Sequence, residues 1–354
     1  MRQNPDLLAP PDTDHGTLPN LKFSFDQVHT RLEVGGWSRE VTVRELPVAT
    51  TLAGVDMRLN PGGVRELHWH KQAEWAYVIE GRVRVTAVDP EGRNFVDDVD
   101  RGDLWYFPAG IPHSLQGLGP DGAEFLLVFD DGHFSENSTF LLTDWVAHTP
   151  RPVLARHLDA GEADVRDLPE GEKYIFDGPP PGPLGEERGS GRGDRPHAFT
   201  YRLHDQPPIR SPGGRVWVAD STDFPISATV AAALVEVEPG GMRELHWHPT
   251  ADEWQYYLSG SARMGVFAAE GRAGTFDYHA GDVGYVPFPM GHYVENTGAG
   301  ILTYLELFRS PRFADLSLRQ WLALTPAPLV RAHLGASTGE LFARLPREKR
   351  QTLA

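Results

Sequence analysis

The sequence predicts an all-β protein built from two homologous domains in tandem, each followed by short helices. Its 37 Gly and 30 Pro lie among many short runs rich in Val and Phe, a composition typical of strands joined by frequent turns. A stretch at residues 62–75 returns almost unchanged at residues 240–254. With 354 residues, the chain is long enough for each copy to have its own hydrophobic core.

The first elements follow from composition and from alternating apolar residues. Residues 1–35, rich in Pro, Asn and Asp, predict an arm that packs across another surface and carries one short strand at Leu21–Phe25. Apolar residues alternate between Glu40 and Leu59, which predicts strands of an antiparallel sheet. Residues 75–89 predict a hairpin that turns at Gly81.

The rest of the first copy predicts two more strands and a broken helix. Residues 102–107 predict a strand, and a tight turn then directs His113 back towards the earlier strands. Phe125–Phe129 predicts a continuous apolar strand, which a polar loop follows. Thr143–Leu158 predicts a helix that breaks at Pro150.

The second copy repeats this order. The spacing between Gly81 and Gly260 equals the spacing between Gly102 and Gly281. The Pro- and Gly-rich residues 178–198 have the composition of a linker. We therefore predict an N-terminal domain with its arm at residues 1–177, a linker at residues 178–198 and a C-terminal domain at residues 199–354.

Both copies carry three histidines and one glutamate in the same order. His68 and His70 are two residues apart, so on a strand both imidazoles point to one face. A lone His-x-His is more often a coincidence on the surface, but here the whole set recurs in the second copy at a nearly constant offset. Three neutral imidazoles and a carboxylate suit a divalent transition metal and leave positions for substrate. The sequence predicts two metal sites, formed by His68, His70, Glu74 and His113 and by His246, His248, Glu253 and His292.

Composition argues against several classes of function. The net charge of −16 argues against a nucleic-acid partner, which requires a basic surface. Without cysteine, the chain has no disulfides, thiolate ligands or cysteine nucleophiles. The first residues lack the apolar core of a signal peptide, and no stretch is apolar for long enough to span a membrane. We expect a cytoplasmic protein that binds neither nucleic acid nor membrane.

The two metal stretches resemble the two signature motifs of the cupin superfamily, one with His-x-His and Glu between glycines and one ending in Pro-x-Gly-x-x-His. The matching residues are Gly62, His68, His70, Glu74, Gly81, Gly102, Pro108, Gly110 and His113, and then Gly240, His246, His248, Glu253, Gly260, Gly281, Pro287 and His292. The second copy departs from the motif with Pro289 in place of the last glycine. Longer stretches, such as residues 65–70, 102–108 and 134–140, resemble the bacterial bicupin oxalate decarboxylases over nearly the whole chain.

This resemblance implies a fold and an activity. The fold is two tandem jelly-roll-like β-barrels with short helices after each barrel. The activity is conversion of oxalate to formate and carbon dioxide, with two Mn²⁺ ions per chain and dioxygen as co-catalyst. It also implies a homo-oligomer, either a trimer or a hexamer.

The resemblance implies further that two arginines hold substrate. Arg65 lies three residues before His68, so it would face away from the metal unless the strand bends. The family match places it in the pocket, where its guanidinium could hold an oxalate oxygen. Without that match, a structural ion pair would be the better interpretation. Arg243 repeats the position in the second copy.

Two glutamates are the candidate acid–base groups. Glu136 lies in a loop, residues 135–138, that matches the mobile lid of the family. Glu306 interrupts the apolar run Tyr304–Phe308 of the second copy. A carboxylate is costly to bury without a partner, so we expect Glu306 to face the metal cavity.

Three other functions remain open. An oxalate oxidase uses the same metal ligands and substrate but releases hydrogen peroxide, and the lid glutamate argues against it. A storage-type bicupin has the same barrels but has no need for eight intact ligands. Other bicupin metalloenzymes, such as dioxygenases, are the third alternative.

Overall fold

The computed structural model describes residues 4–188, 198–335, 341, 342, 344, 345 and 347. The strands of the first half are β1 (Lys22–Ser24), β2 (Arg31–Glu33), β3 (Gly36–Val41), β4 (Ala53–Leu59), β5 (Gly63–Trp69), β6 (Glu74–Val88), β7 (Asn94–Asp100), β8 (Leu104–Phe107), β9 (His113–Gly117), β10 (Ala123–Phe129), β11 (Phe140–Leu141) and β12 (Ile175–Asp177). Helices α1 (Leu142–Ala147), α2 (Arg151–His157) and α3 (Leu184–Arg188) accompany them.

The second half repeats this order of elements. Its strands are β13 (Thr200–Tyr201), β14 (Ile209–Ser211), β15 (Gly214–Ala219), β16 (Ala231–Val237), β17 (Met242–Trp247), β18 (Glu253–Ser259), β19 (Ser261–Ala268), β20 (Arg272–His279), β21 (Asp282–Val286), β22 (Gly291–Asn296), β23 (Leu302–Phe308) and β24 (Leu316–Ser317). Helices α4 (Leu318–Leu324) and α5 (Ala327–Leu334) follow. The all-β prediction is therefore confirmed, the first helical stretch breaks at the predicted Pro150, and the second breaks at the equivalent Pro326.

Each half forms a barrel from two facing antiparallel sheets. In the second barrel these sheets run β1-β21-β18-β23-β16-β15-β14 and β20-β19-β22-β17-β24. In the first barrel the corresponding sheets are joined into one because β6 continues from one sheet into the other. The apolar faces of each pair of sheets enclose a separate core, and a third apolar cluster packs the barrels together around Trp75 and Trp254.

The predicted hairpin at Gly81 is wrong. The chain continues through this glycine as the single strand β6, which pairs with β8 and β10 before Gly81 and with β7 and β9 after it. Gly81 has φ of +72°, and a Cβ there would lie 2.0 Å from the carbonyl oxygen of Gly122. The glycine therefore bends the strand from one sheet to the next and does not reverse it.

The segments that precede each barrel exchange places. The predicted arm lies on the second barrel, where β1 pairs with β21. In return, β13 pairs with β8 of the first barrel. The beginning of the predicted linker also packs on the first barrel, since Arg84 donates to the Gly182 carbonyl at 2.6 Å. Residues 189–197 of that linker lie outside the described residues.

Candidate metal centres

Strand pairing brings the four predicted ligands of each barrel to one place. In the first barrel, His68 on β5 lies opposite His113 on β9, and Glu74 begins β6. In the second, His246 lies opposite His292, and Glu253 begins β18. Within each set, the potential ligand atoms lie within 4.8 Å of one another, and all eight side chains are buried.

Backbone carbonyls orient the imidazoles. The Nδ1 atoms of His68 and His70 are 2.6 Å from carbonyl oxygens, and that of His113 is 2.8 Å from one. A carbonyl can only accept, so each Nδ1 carries the proton and each Nε2 is left as a free electron-pair donor. The same arrangement holds in the second barrel, where Nδ1 of His246 is 2.6 Å and that of His248 is 2.8 Å from a carbonyl oxygen.

Several of these inward atoms have no hydrogen-bond partner. They are Nε2 of His113, His246, His248 and His292 and Oε2 of Glu253. The Nε2 atom of His292 approaches that carboxylate oxygen to 2.7 Å without the geometry of a hydrogen bond. Buried polar atoms are rarely left unpaired, so a group of them converging on one point fits a bound cation.

The charges of His68, His246 and the two carboxylates suit metal binding, whereas Glu253 raises the pKa of His248 although burial lowers it. Burial and the neighbouring arginines hold the pKa of His68 and of His246 well below the usual value, so both imidazoles stay neutral. Burial alone would raise the pKa of Glu74 and of Glu253, but the histidines beside each carboxyl lower it. Neutral imidazoles and an ionised carboxylate are the forms that bind a metal.

The two barrels hold the ligand carboxylate in different ways. In the first, Trp105 on β8 donates its indole N–H to Glu74 Oε1 at 2.8 Å, and Ala76 lies opposite it on β6. In the second, Gln255 donates its amide to Glu253 Oε1 at 2.7 Å, and Gly284 lies opposite it. In the repeat, Gln255 corresponds to Ala76, and Gly284 corresponds to Trp105. The hydrogen-bond donor therefore lies on β8 in the first barrel and on β18 in the second, and in both barrels a small residue lies opposite it.

Arg65 lies beside the first metal site. The pairing of β5 with β9 shifts between Arg65 and His68, which removes the strict alternation of faces assumed from the sequence. Its guanidinium donates to Glu136 Oε2 at 3.1 Å and stacks over the ring of Tyr174, 4.3 Å from the ring centroid. Tyr174 in turn donates its hydroxyl to Glu136 at 2.6 Å.

Arg243 is held more tightly in the second site. It donates to Glu306 at 3.3 Å and to Asp315 at 2.7 Å, and neither carboxylate is more than 4% exposed. Tyr304 also donates to Glu306, at 3.0 Å. Glu306 is therefore buried in an ion-pair network beside the metal ligands, and burial raises its pKa even though Arg243 opposes this.

Sequence reasoning missed three residues of these networks. Asp315 lies directly before β24, which pairs with β17 as β11 pairs with β5, so by strand register it corresponds to Thr139 and the repeat did not mark it as acidic. Tyr304 replaces Phe125 at the same offset, beside the glutamate. No sequence signal pointed to Tyr174, which the chain brings to Glu136 from 38 residues away through two helices.

Comparisons with known proteins agree with this geometry. A family model described as cupin matches residues 24–166 and 201–335. Oxalate decarboxylase OxdC of Bacillus subtilis is 62% identical over 334 residues, which cover 94% of this chain and 86% of that protein. A probable oxalate decarboxylase of Arthroderma benhamiae is 42% identical over 352 residues, 98% of this chain and 86% of that protein. A solved structure of the B. subtilis decarboxylase, a protein with Mn(II) centres, is 60% identical and superposes with a TM-score of 0.95 over 99% of this chain and 93% of that one. The chain belongs to the cupin family and, within it, to the group of the oxalate decarboxylases.

Proposed function

We propose that this protein converts oxalate to formate and carbon dioxide, with a manganese ion at each of its two centres and dioxygen as co-catalyst. The observation that carries the proposal is the first centre, where His68, His70, Glu74 and His113 converge beside an arginine and a loop carboxylate. The likeness to oxalate decarboxylases across nearly the whole chain supports the same reaction. Decarboxylation of the oxalate dianion consumes one proton and yields one formate and one carbon dioxide.

The metal, Arg65 and Glu136 each have a separate role in the proposed reaction. The metal, when bound, supplies a Lewis acid and one-electron chemistry for the substrate carboxylate. Arg65 offers guanidinium donors to an oxalate oxygen and fixes the orientation of the dianion. Glu136 holds or delivers the proton that completes formate. As part of a loop that covers the pocket, it also excludes water while the one-carbon intermediate is present.

The partners of the two arginines favour the first centre as the site of turnover. Glu136, the carboxylate on Arg65, belongs to a surface loop and can move when substrate enters. Arg243 is neutralised by two carboxylates that are fixed inside the second barrel. A dianion arriving there would meet Glu306 and Asp315 as well as Arg243, so repulsion opposes its binding.

The partitioning of products between decarboxylation and oxidation tests the role of Glu136. In Glu136→Ala, metal content and oxalate binding should stay nearly unchanged, while the products shift from formate towards carbon dioxide and hydrogen peroxide. Formate and peroxide per oxalate consumed are measured, with metal content and oligomer size checked in each variant. Glu306→Ala is the matched control and should leave this partitioning almost unaltered.

If Glu136→Ala keeps the wild-type formate yield and rate while Glu306→Ala abolishes them, turnover belongs to the second barrel. A wild-type protein that releases peroxide as its main product is an oxidase.

We also propose that the chain forms a homo-oligomer, a trimer or a hexamer. Each barrel carries an exposed aromatic patch on matching elements, with Trp145 of α1 62% exposed and Trp321 of α4 59% exposed. Trp145 packs against Trp69, and Trp321 packs against Trp247. Two equivalent apolar patches on one chain suit a ring in which the first barrel of one copy meets the second barrel of the next. Light scattering of the wild type and of Trp145→Glu tests this assembly.

A further inference from the structure

We propose that Glu66 is a positioning residue of the first centre, which acts by holding Tyr174 in place. Tyr174 is the contact that Arg65 and Glu136 share. The inference rests on the proposed decarboxylase function and deepens it. The carboxylate of Glu66 hydrogen-bonds to none of the four metal ligands of this centre, so its effect on the reaction passes through its neighbours.

The backbone of Tyr174 has a conformation that residues with a Cβ rarely adopt. Its φ is +58°, in the left-handed region, and the other described non-glycine residues with positive φ are Asp159 and Glu270. Those two residues are exposed, whereas Tyr174 is buried. A bulky residue keeps such a conformation only where its surroundings hold it there. The neighbours of Tyr174 therefore determine where its phenol lies.

Glu66 bonds to both backbone groups of Tyr174. Its Oε2 atom accepts the N–H of Tyr174 at 3.0 Å, and its own N–H donates to the Tyr174 carbonyl at 3.1 Å. The same Oε2 atom accepts the N–H of Lys173 at 3.1 Å. These bonds fix the peptide units on both sides of Tyr174 and, with them, the direction of its side chain.

The same carboxylate holds the chain that leaves the loop over the first centre. Thr143, in the first turn of α1, donates its backbone N–H to Oε1 at 3.2 Å and its hydroxyl to Oε2 at 2.9 Å. The loop at residues 135–138 and the short β11 directly precede this helix. The backbone carbonyl of Glu66 lies 2.6 Å from Nδ1 of the metal ligand His68. One residue therefore connects the loop and Tyr174 to the strand that carries the metal ligands.

The burial of this carboxylate couples the segments that it holds. Glu66 is 2% exposed, and its hydrogen-bond donors in the described chain are all uncharged. A buried carboxylate without a cation is costly unless its electron pairs are used. Each donor that moves away weakens the network for the others, so Tyr174 and α1 are held together or released together.

Tyr174 transmits this order to the two groups that act on oxalate. Its hydroxyl donates to Glu136 at 2.6 Å, and its ring centroid lies 4.3 Å from the guanidinium of Arg65. Without Glu66, the backbone at Tyr174 can relax to negative φ, which moves the phenol away from both groups. Glu136 then delivers its proton from a less defined position. A larger share of oxalate is oxidised by dioxygen, which gives two carbon dioxide and one hydrogen peroxide and no formate.

The second barrel offers a matched control. Glu244 occupies the position of Glu66 in the repeat and is also buried, at 6% exposed. Strand register places Arg319 at the position of Thr143, so the surroundings of the two glutamates differ. Glu244→Gln therefore makes the same chemical change as Glu66→Gln, but in the barrel to which we do not assign turnover.

The experiment uses the metal-loaded full chain and two independent measurements. Formate and hydrogen peroxide per oxalate consumed, with kcat and KM, report on the reaction, and amide hydrogen exchange at residues 135–138 and 173–174 reports on the geometry. The variants are Glu66→Gln, Tyr174→Phe and the two combined. Thr143→Val removes one donor of the carboxylate and serves if Glu66→Gln does not fold, and Thr143→Ser keeps that donor. Metal content and thermal unfolding are recorded for each.

We expect Glu66→Gln to lower the ratio of formate to peroxide roughly ten-fold and to speed exchange in both segments. Thr143→Val should shift the ratio in the same direction, and Thr143→Ser should restore it. Combined with Tyr174→Phe, Glu66→Gln should change the ratio by less than about two-fold further, because both act on one phenol. In Glu244→Gln, both measurements should match wild type.

A ratio within about two-fold of wild type in folded, metal-loaded Glu66→Gln overturns the positioning role, as does the same result for Thr143→Val if Glu66→Gln does not fold. Losses that multiply in the combined variant also overturn it, because Glu66 would then not act through Tyr174. A wild type that makes no formate refutes the proposed function alone. Hydrogen exchange still tests the positioning role in that case, and exchange that stays slow in both segments of Glu66→Gln overturns it.

Discussion

Arg65 and Arg243 occupy equivalent strand positions, and their loss should damage the protein in different ways. The perturbations are Arg65→Ala and Arg243→Ala, two identical truncations of arginines that are each 1% exposed. In the second barrel, truncation leaves the carboxylates of Glu306 and Asp315 buried without their cation. In the first, it leaves Glu136, which keeps the hydroxyl of Tyr174 as a donor and begins a short 3-10 helix near the surface.

The expected magnitudes follow from these partners. Removing one member of a buried ion pair costs about 3–5 kcal/mol, which for a domain of this size lowers the midpoint of thermal unfolding by roughly 6–20 °C. Arg65→Ala should cost less than about 2 kcal/mol, because Glu136 keeps its hydrogen bond from Tyr174 and only one ion pair and the stacking on the tyrosine ring are lost. Losing a charge-assisted bond to oxalate, worth about 1.5–3 kcal/mol, should lower kcat/KM about 10- to 100-fold.

The assay combines calorimetry of each variant with steady-state formate production, after metal content has been matched. Arg65→Ala should be stable and slow, while Arg243→Ala should be unstable, with kcat/KM near wild type well below its unfolding temperature. If Arg243→Ala unfolds within about 2 °C of wild type and has lost oxalate turnover, the second arginine binds substrate and the reasoning from its two carboxylates is refuted.

Three further predictions concern the ligands, their surroundings and the interface between the barrels. Replacing His68 and His70 with Ala should remove one of two bound ions per chain, and replacing His246 and His248 should remove the other. Elemental analysis measures the metal content, and two ions in either double variant would show that the ligands are misassigned. Trp105→Phe deletes the donor to Glu74 and should weaken metal affinity of the first centre about 10- to 100-fold, measured by chelator competition, with the second centre unaffected. Asp56 is fully buried, and burial, with Glu124 nearby, raises its pKa to about 7 from 3.8, although Arg39 opposes the shift. The folded state therefore binds this proton more tightly than the unfolded chain, so the free energy of unfolding should fall by at most about 4 kcal/mol as pH rises from about 4 to about 7. In Asp56→Asn, urea titrations over this range should show that loss removed, and an identical pH dependence in both proteins would contradict the assignment.

Because the motif is repeated, both sets of metal ligands could be predicted from the sequence. A strand of period two places His68 and His70 on one face, and the recurrence of the set at one offset separates it from coincidence. The irregular pairing between Arg65 and His68 could not be read in this way, because alternation assumes an unbroken strand. The course of β6 could not be predicted from the sequence either. Glycine permits both a turn and a bend, and only the contact with the Gly122 carbonyl decides between them.

Contacts that depend on distant segments were also beyond sequence reasoning. Tyr174 reaches Glu136 only because the chain after α2 returns to pair β12 with β5. The strand exchange of β1 and β13 between the barrels likewise depends on edges that appear only once both barrels have formed. Local pattern predicts which residues form a strand, and the tertiary fold determines which strand lies beside it.

The functional difference that we propose between the barrels rests on a few paired substitutions around one shared scaffold. Where the first barrel has Phe125 and Leu127, the second has Tyr304 and Glu306, so the buried carboxylate arrives together with its phenol donor. That carboxylate and Asp315 then hold Arg243, whereas the apolar Leu127 leaves Arg65 to Glu136, which lies nearer the surface. Introducing Glu306 alone would bury an unpaired charge, so the change is tolerated only with its partners. The buried carboxylates of Glu306 and Asp315 are therefore the reason why we propose substrate binding for Arg65 and not for Arg243.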